Sequence, residues 1–582
     1  MTITLAAVYA PIAFMSGLTG ALFKEFAFTL ASAVIVSGVI ALTLSPMMCS
    51  KILSADMNNG RLTQRVDALF QTLRIKYKHG LHRLLNSREI MLVFSVVILL
   101  MLPYLYITTP KETAPEEDQG FFFVVGSAPQ SATLEYVEAF TQSFETIFKN
   151  LPETEHYFVI NSSNPVSGLV LKPWNERHKT QFQMKKPLQE ALNTVAGLKS
   201  FAVIPPPLPG GGGGTPVQFA IKTSNDFNSL YDVSTKLINK AKDSGLFIYL
   251  DNTLKFNQPE VELQINRTKA ADLGLNMKEI GNSLNSALSG GYTNYFNLKG
   301  RSYQVIPKLE RPFRTIPKQL GEIYLRTMNG NMVPLSTIVT PVETIQPNAI
   351  THFQQLNSAI IQGVMRPGTT LGQAIHFLNQ AAKDSLPKGF DFDYAGQSRQ
   401  FIQEGSSLVF AFFLSIIIIF LVLSAQYESF RDPLIILISV PMSLCGALIP
   451  LNLGAASINI YTQVGLITLI GLISKHGILI VDFANHLQRT QKLSRRKAVE
   501  EAASIRLRPI LMTTAAMVFG VFPLLIASGA GAVSRFDIGL VIASGLLIGT
   551  AFTLFIVPTM YTYLASDHKQ QNSRNIKNSV LK

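Results

Sequence analysis

Charge is what this chain has least of. Asp, Glu, Lys and Arg make up 15% of its 582 residues, against about 25% in an ordinary soluble protein, so a wholly water-exposed surface is hard to assemble from it. Cysteine is nearly absent: Cys49 and Cys445 lie far apart in apolar runs, which excludes a disulfide framework and any cysteine-based metal site. No zinc-ligand spacing, nucleophile elbow or nucleotide fingerprint occurs, so an enzyme reading has no constellation to rest on and no cofactor is expected. The run Pro205-Pro-Pro-Leu-Pro-Gly-Gly-Gly-Gly-Gly214 lacks a Lys-Ser/Thr ending and a strand-to-helix setting; it reads as a turn-forming connector, not a phosphate loop. Acid is the scarcer sign, 37 residues against 50 basic ones. Basic loops beside a membrane account for that excess without nucleic acid as a partner.

Uncharged length is abundant. About 20 residues of helix cross the hydrocarbon of a bilayer, and 26–50, 90–110 and 405–427 each meet that requirement. The stretch 433–474 is too long for one helix, and the polar turn Asn452-Leu-Gly-Ala-Ala-Ser-Ile-Asn459 divides it. Its second part continues through Lys475 to about residue 483. Runs 509–534 and 538–566 follow, and 1–15 reads as the tail of another span. A signal peptide is rejected for 1–15, because no basic region precedes it and no small-residue cleavage site follows. The expected fold is a membrane α-helical bundle of about eight spans, the first partial.

Basic residues orient it. Arg61, Arg65, Arg74, Lys76, Lys78, Arg83 and Arg88 fall in one short loop, and Arg489, Lys492, Arg495, Arg496, Lys497, Arg506 and Arg508 in another. Both are expected in the cytoplasm, with the large segment 111–404 outside. That segment alternates strand and helix patterns: Gly120-Phe-Phe-Phe-Val-Val125, a helical pattern over 134–149, then His156-Tyr-Phe-Val-Ile160. Similar groups recur at 217–250 and 359–394, predicting α+β subdomains of ferredoxin-like βαβ type. Trp174, the lone tryptophan, is expected to pack rather than bind a ligand. The polar, basic 569–582 reads as a disordered cytoplasmic tail.

A shift of 512 residues superposes the first two spans on the last two without a gap. Pro11 falls on Pro523, Ser16-Gly17 on Ser528-Gly529, Ala31-Ser32 on Ala543-Ser544, Pro46 on Pro558 and Met48 on Met560. Parallel duplication is a recurrent design of secondary transporters. The second copy has six spans with a large external loop and the first only its last two, so four spans and a comparable loop are expected upstream of Met1.

The informative residue in the membrane is Lys475, mid-way along its span. An ammonium there costs about 2.5 to 3.5 kcal/mol on insertion scales. A carboxylate partner that exchanges protons would make the pair a switch driven by the proton gradient; a static ion pair or a snorkelling lysine is the plainer reading. Asp482 lies two turns on along the same face, near water, where a solvated helix-end acid is an equal reading. Thr513 could donate to a carboxylate or carry a water chain, or bond back to its own helix. Pro509 suits the first turn of the next helix, with Arg508 an anchor at headgroup level. His476 points about 100° from Lys475 and reads as a packing residue. No full span carries an Asp or Glu at mid-depth, so the partner of Lys475 is expected in upstream spans.

Four motifs carry a resemblance. They are Thr113-Ala-Pro-Glu-Glu-Asp-Gln-Gly120, Ala425-Gln-Tyr-Glu-Ser-Phe430, Gly471-Leu-Ile-Ser-Lys475-His-Gly-Ile-Leu-Ile-Val-Asp482-Phe-Ala484 and Arg506-Leu-Arg508-Pro-Ile-Leu-Met-Thr513. Over nearly its whole length the chain resembles the C-terminal half, with the last spans of the N-terminal half, of resistance-nodulation-division (RND) proton antiporters of the multidrug efflux branch. The resemblance implies that Lys475 is the relay lysine, Thr513 the relay threonine and Arg506 the basic residue near the cytoplasmic end of the proton path. It implies that 1–53 are the last spans of the first repeat, 54–89 a basic cytoplasmic loop, 90–110 the next span, 401–566 a five-span membrane domain and 567–582 a tail. Outside, 111–215 would be one porter subdomain, 216–256 with 344–400 a second, and 257–343 a docking insertion with Gly290-Gly291-Tyr292 and Asn331-Met-Val-Pro334 as landmarks. It also implies an inner-membrane homotrimer that works with a periplasmic adaptor and an outer-membrane channel, powered by the proton gradient.

The family keeps its paired aspartates in the region expected upstream. Alone, the chain is therefore expected not to couple protons to export, and a separate N-terminal-half polypeptide is one source of the rest. A non-transporting scaffold or assembly subunit, or a truncated remnant, stays open as the alternative.

Overall fold

The computed structural model describes residues 2–52, 61–129, 132–162, 164–209, 214–288 and 291–566. Gly290, residues 210–213 of the glycine run, the Arg61 side chain and the 569–582 tail lie outside the described residues.

Short helices α1 (Thr2–Val8) and α2 (Ala10–Ala13) lead into α3 (Gly17–Leu42), which breaks at Thr43 and resumes as α4 (Leu44–Ile52). The helix begins well before the expected residue 26, because Gly17, at φ 80°, turns the chain into it. Pro46 accounts for the break: it offers no N–H to the carbonyl of Leu42 and crowds that turn. The loop expected at 54–89 is largely helix α5 (Arg61–Asn86). Its Tyr77, Leu81 and Leu85 recur at helical spacing and are buried, an apolar stripe hidden by the basic residues around it.

Helix α6 (Arg88–Thr108) runs up to the α/β region. There β1 (Phe121–Ser127), α7 (Leu134–Lys149), β2 (Thr154–Ile160), β3 (Val166–Leu171), α8 (Gln181–Leu192) and β4 (Lys199–Val203) form one antiparallel sheet of order β2-β3-β1-β4. Both β1 and β2 pair with β3, so the expected βαβ unit is split by a strand between its two strands. Phe122 and Val124 pack from the sheet onto Phe144, Phe148 and Leu188.

The second unit starts with β5 (Val217–Thr223), α9 (Phe227–Asp243) and β6 (Phe247–Asn252). An insertion then holds β7 (Phe256–Ile265), α10 (Arg267–Asp272), α11 (Met277–Leu288), β8 (Asn294–Leu298), β9 (Arg301–Val305), β10 (Tyr324–Arg326), β11 (Met332–Pro334) and β12 (Val339–Pro347). Strands β7 and β12 pair antiparallel from Phe256–Pro347 to Ile265–Val339, slightly outside the expected 257–343. The sheet is completed by β13 (Thr351–Phe353), β14 (Leu356–Met365), α12 (Leu371–Ser385) and β15 (Phe390–Tyr394). Strand β14 lies between β5 and β6, splitting this unit in the same way.

The chain returns through α13 (Gly396–Tyr427), α14 (Arg431–Leu437), α15 (Ser439–Asn452), α16 (Ile460–Gln491), α17 (Arg495–Leu525) and α18 (Ala532–Leu564). Among the described residues, seven helical stretches are long and apolar enough to cross a membrane, and Thr2–Ala13 is a shorter apolar one. Pro509 does not open its helix as expected but sits inside α17. The turns before it are helical because Ala498, Val499, Ala502 and Ala503 form a buried stripe.

Of the seven stretches α16 is the most enclosed, followed by α14–α15 and then α18. A Cβ at Gly545 would lie 2.2 Å from Leu469 Cδ2, and one at Gly549 2.7 Å from Ser443 Cβ. Bare backbone at these positions is what lets α18 approach α15 and α16 so closely. The Ser443 hydroxyl donates to the Gly545 carbonyl at 2.8 Å across that contact.

Candidate functional site

Helix α16 starts where Asn459 caps it, its Oδ1 accepting from Tyr461 and Thr462 N–H at 3.0 Å each. Thirty-two residues follow, with Lys475 at the midpoint. One turn earlier Gly471 faces α1, where an added Cβ would meet Leu5 Cδ1 at 2.8 Å. Lys475 lies on that same face, one turn beyond the contact, and is partly exposed. Among the described residues no carboxylate lies within 4.0 Å of its ammonium.

Its neighbour His476 is fully buried and turned toward α17 and α18. Thr514 Oγ1 lies 3.3 Å from His476 Nε2, Thr550 Oγ1 3.4 Å from His476 Nδ1, and the two hydroxyls 3.1 Å apart. The cluster is not legible in the sequence, where His476 reads as a packing residue and Thr513 is the candidate hydroxyl. The Thr513 hydroxyl instead donates to the Ile510 carbonyl of its own helix at 3.0 Å.

Arg506 stacks its guanidinium 4.4 Å over the Phe483 ring, which brings α17 against the residue that follows Asp482. Its Nε is buried without a hydrogen bond. Asp482 is exposed. Beside it a chain of buried polar groups links three helices: Asn485 Nδ2 donates to Asp432 Oδ2 (3.1 Å), the Tyr561 hydroxyl to Asn485 Oδ1 (2.5 Å) and Gln488 Nε2 to the Tyr561 oxygen (2.6 Å). Arg508 pairs with Asp67 of α5 at 2.9 Å and lies 5.0 Å from the Phe70 ring centre. The structure thus joins Arg506 to α16 but brings neither Lys475 nor Thr513 into hydrogen bonding with it.

The Thr113–Gly120 motif finds its work where the α/β region meets the helices. Glu117 accepts from Ser534 N–H at 2.7 Å and from the Ser534 hydroxyl, capping α18. Asp118 holds Arg177 at 3.0 Å, both side chains buried, and accepts from Gln181 N–H at 2.7 Å. Arg177 also covers Trp174, 4.5 Å from its ring centre. Glu112 takes the Ser457 hydroxyl, while Asn459 Nδ2 donates to Asp537 at 2.7 Å. Burial pushes the Glu112 carboxyl up to about 7, the Ser457 hydrogen bond opposes this, and Asp537 and Glu116 add to it. Glu404 of α13 reaches across to accept from Leu18 and Thr19 N–H at 3.2 and 3.1 Å.

Membrane-length helices around a mid-helix lysine, with two split βαβ units set on one face, define a polytopic membrane protein with a large α/β region. A model of the AcrB/AcrD/AcrF family matches residues 1–565, and the chain belongs to that family of RND transporters. An uncharacterized transporter of Haemophilus influenzae is 42% identical over 579 residues, covering 98% of this chain and 56% of its own length. Multidrug resistance protein MdtF of Escherichia coli is 29% identical, covering 96% and 56%. The multidrug/solvent efflux pump membrane transporter MepB of Pseudomonas putida is 30% identical, covering 97% and 56%. The chain spans little more than half the length of these relatives.

Proposed function

We propose that these residues form the C-terminal portion of an RND-type, proton-driven multidrug efflux transporter that exports amphiphilic compounds across the envelope. Lys475 is the observation that carries this: an ammonium at the midpoint of an apolar helix, with no carboxylate beside it among the described residues. Holding it there is costly, and a carboxylate that exchanges protons opposite it turns that cost into a switch. Because Lys475 lies one turn beyond the α1 contact at Gly471, the partner carboxylate is proposed to come from the length that the relatives have and this chain does not. Thr513 and Arg506 complete the relay, with Asp482 as a water-side acid. The relatives' names, a multidrug resistance protein and a multidrug/solvent efflux pump, favour drugs and solvents as the cargo.

In this reading the basic ends face the cytoplasm across the bacterial inner membrane and the α/β region lies in the periplasm. The ferredoxin-like units at 111–215 and at 216–256 with 344–400 act as porter subdomains, and 257–343 is a docking insertion. A homotrimer engages a periplasmic adaptor and an outer-membrane channel.

Drug susceptibility of a pump-deficient bacterium tests this in three arms: the chain alone, the chain with a matching N-terminal half, and that pair carrying Lys475→Ala. Resistance in the second arm that vanishes in the third is expected. Equal resistance in the second and third arms would contradict a relay role for Lys475.

A further inference from the structure

Helix α5 has three faces, and among the described residues only one of them is packed against other parts of the chain. At about 100° per residue, Phe70, Arg74, Tyr77, Leu81 and Leu85 share a side. That side is docked: the Tyr77 hydroxyl donates to the Leu554 carbonyl at 2.5 Å, and Arg74 and Lys78 reach Glu501 at 3.3 and 2.6 Å. Asp67, at its edge, receives Arg508. A second face is apolar and open, with Val66, Leu69 and Leu73 exposed by 40, 66 and 41%. Along the border of that strip run Arg65, Lys76 and Arg83, within about 20° of one another around the helix axis. All three are exposed, and among the described residues none has an ion-pair or hydrogen-bond partner.

The charge cannot be balanced from within the helix. Six Lys and Arg face a single Asp in α5, and that Asp is taken by Arg508. An apolar strip edged by unpaired cations suits the boundary of a bilayer, where the aliphatic stems lie on hydrocarbon and the charged heads meet phosphates. The three cations are about 16 and 10 Å apart along the axis, a spacing for separate headgroups. Helix α6 starts here and ends at the α/β region, so the strip faces the opposite leaflet.

We propose that α5 binds anionic phospholipid headgroups of that leaflet through Arg65, Lys76 and Arg83, seated by Val66, Leu69 and Leu73. The same helix holds α17 through Asp67 and Arg74, so the lipid contact steadies the helix that carries Arg506 and Thr513. Recognition of this kind gains at most roughly fivefold per cation.

The test is electron spin resonance on the protein reconstituted in phosphatidylcholine, comparing spin-labelled phosphatidylglycerol with spin-labelled phosphatidylcholine at the protein boundary. The wild type is expected to prefer the anionic probe by more than roughly twofold. The Arg65→Gln/Lys76→Gln/Arg83→Gln variant is expected to bring that ratio close to one. Arg65→Lys/Arg83→Lys, which keeps the charge, retains it, as does Arg489→Gln/Lys492→Gln/Lys497→Gln, which removes exposed cations elsewhere on the same side. A wild type without preference, a glutamine variant that keeps the preference, or an equal loss in the control triple would each overturn the proposal.

Discussion

Glu112 shows how one residue at the seam between the two halves of the molecule makes stability depend on pH. Its side chain is partly buried, takes the Ser457 hydroxyl and is pushed up from 4.5 to about 7, chiefly by loss of solvent. A raised folded-state value means that the native state favours the proton. The contribution is therefore fully present below about pH 4.5 and is lost as pH rises through about 7, up to about 3 kcal/mol in all. Glu112→Gln keeps an oxygen for Ser457 and removes the ionisation. The variant is expected to gain melting temperature over the wild type at pH 8 and not at pH 5; a difference independent of pH would refute the argument.

At the scale of elements, α16, α17 and α18 are pinned at one depth by His476, Thr514 and Thr550. A buried group left unpaired costs about 1 to 3 kcal/mol. Thr514→Val is expected to lower the melting temperature in detergent by that order, and His476→Leu/Thr514→Val to recover part of it, since the pair is then removed together. A neutral Thr514→Val would mean that the cluster holds nothing. The helices themselves were legible from uncharged length, and Lys475 from being the charge that interrupts it. The rotation of each helix was not legible. Thr513 and Thr514 are adjacent and differ by about 100°, and the stripe from Ala498 to Ile510 that decides which one faces inward shows only once α17 is seen to start at Arg495. Helix α5 is hidden in the sequence, where its cations outweigh its apolar stripe and give the pattern of a basic loop. Which strand lies between β1 and β2, or between β5 and β6, is not legible locally, because periodicity marks a strand and not the strand it pairs with.

Across the whole molecule, the connector after α6 is stitched into the helix ends. Glu117 caps α18, Glu112 meets Ser457, and Asp118 holds Arg177 of the first sheet unit. Glu404, on the helix that descends from the second sheet unit, caps α3. These carboxylates thereby tie the helix ends to both sheet units, the kind of link that the proposed proton-driven transport would use. The most direct test of the central claim is fluorescent amphiphilic drug movement driven by an imposed proton gradient, in proteoliposomes of whichever arm confers resistance. Lys475→Ala is expected to abolish the gradient-dependent part, by roughly tenfold or more, with the folded protein still inserted. Gradient-driven transport at the wild-type rate in that variant would contradict the account.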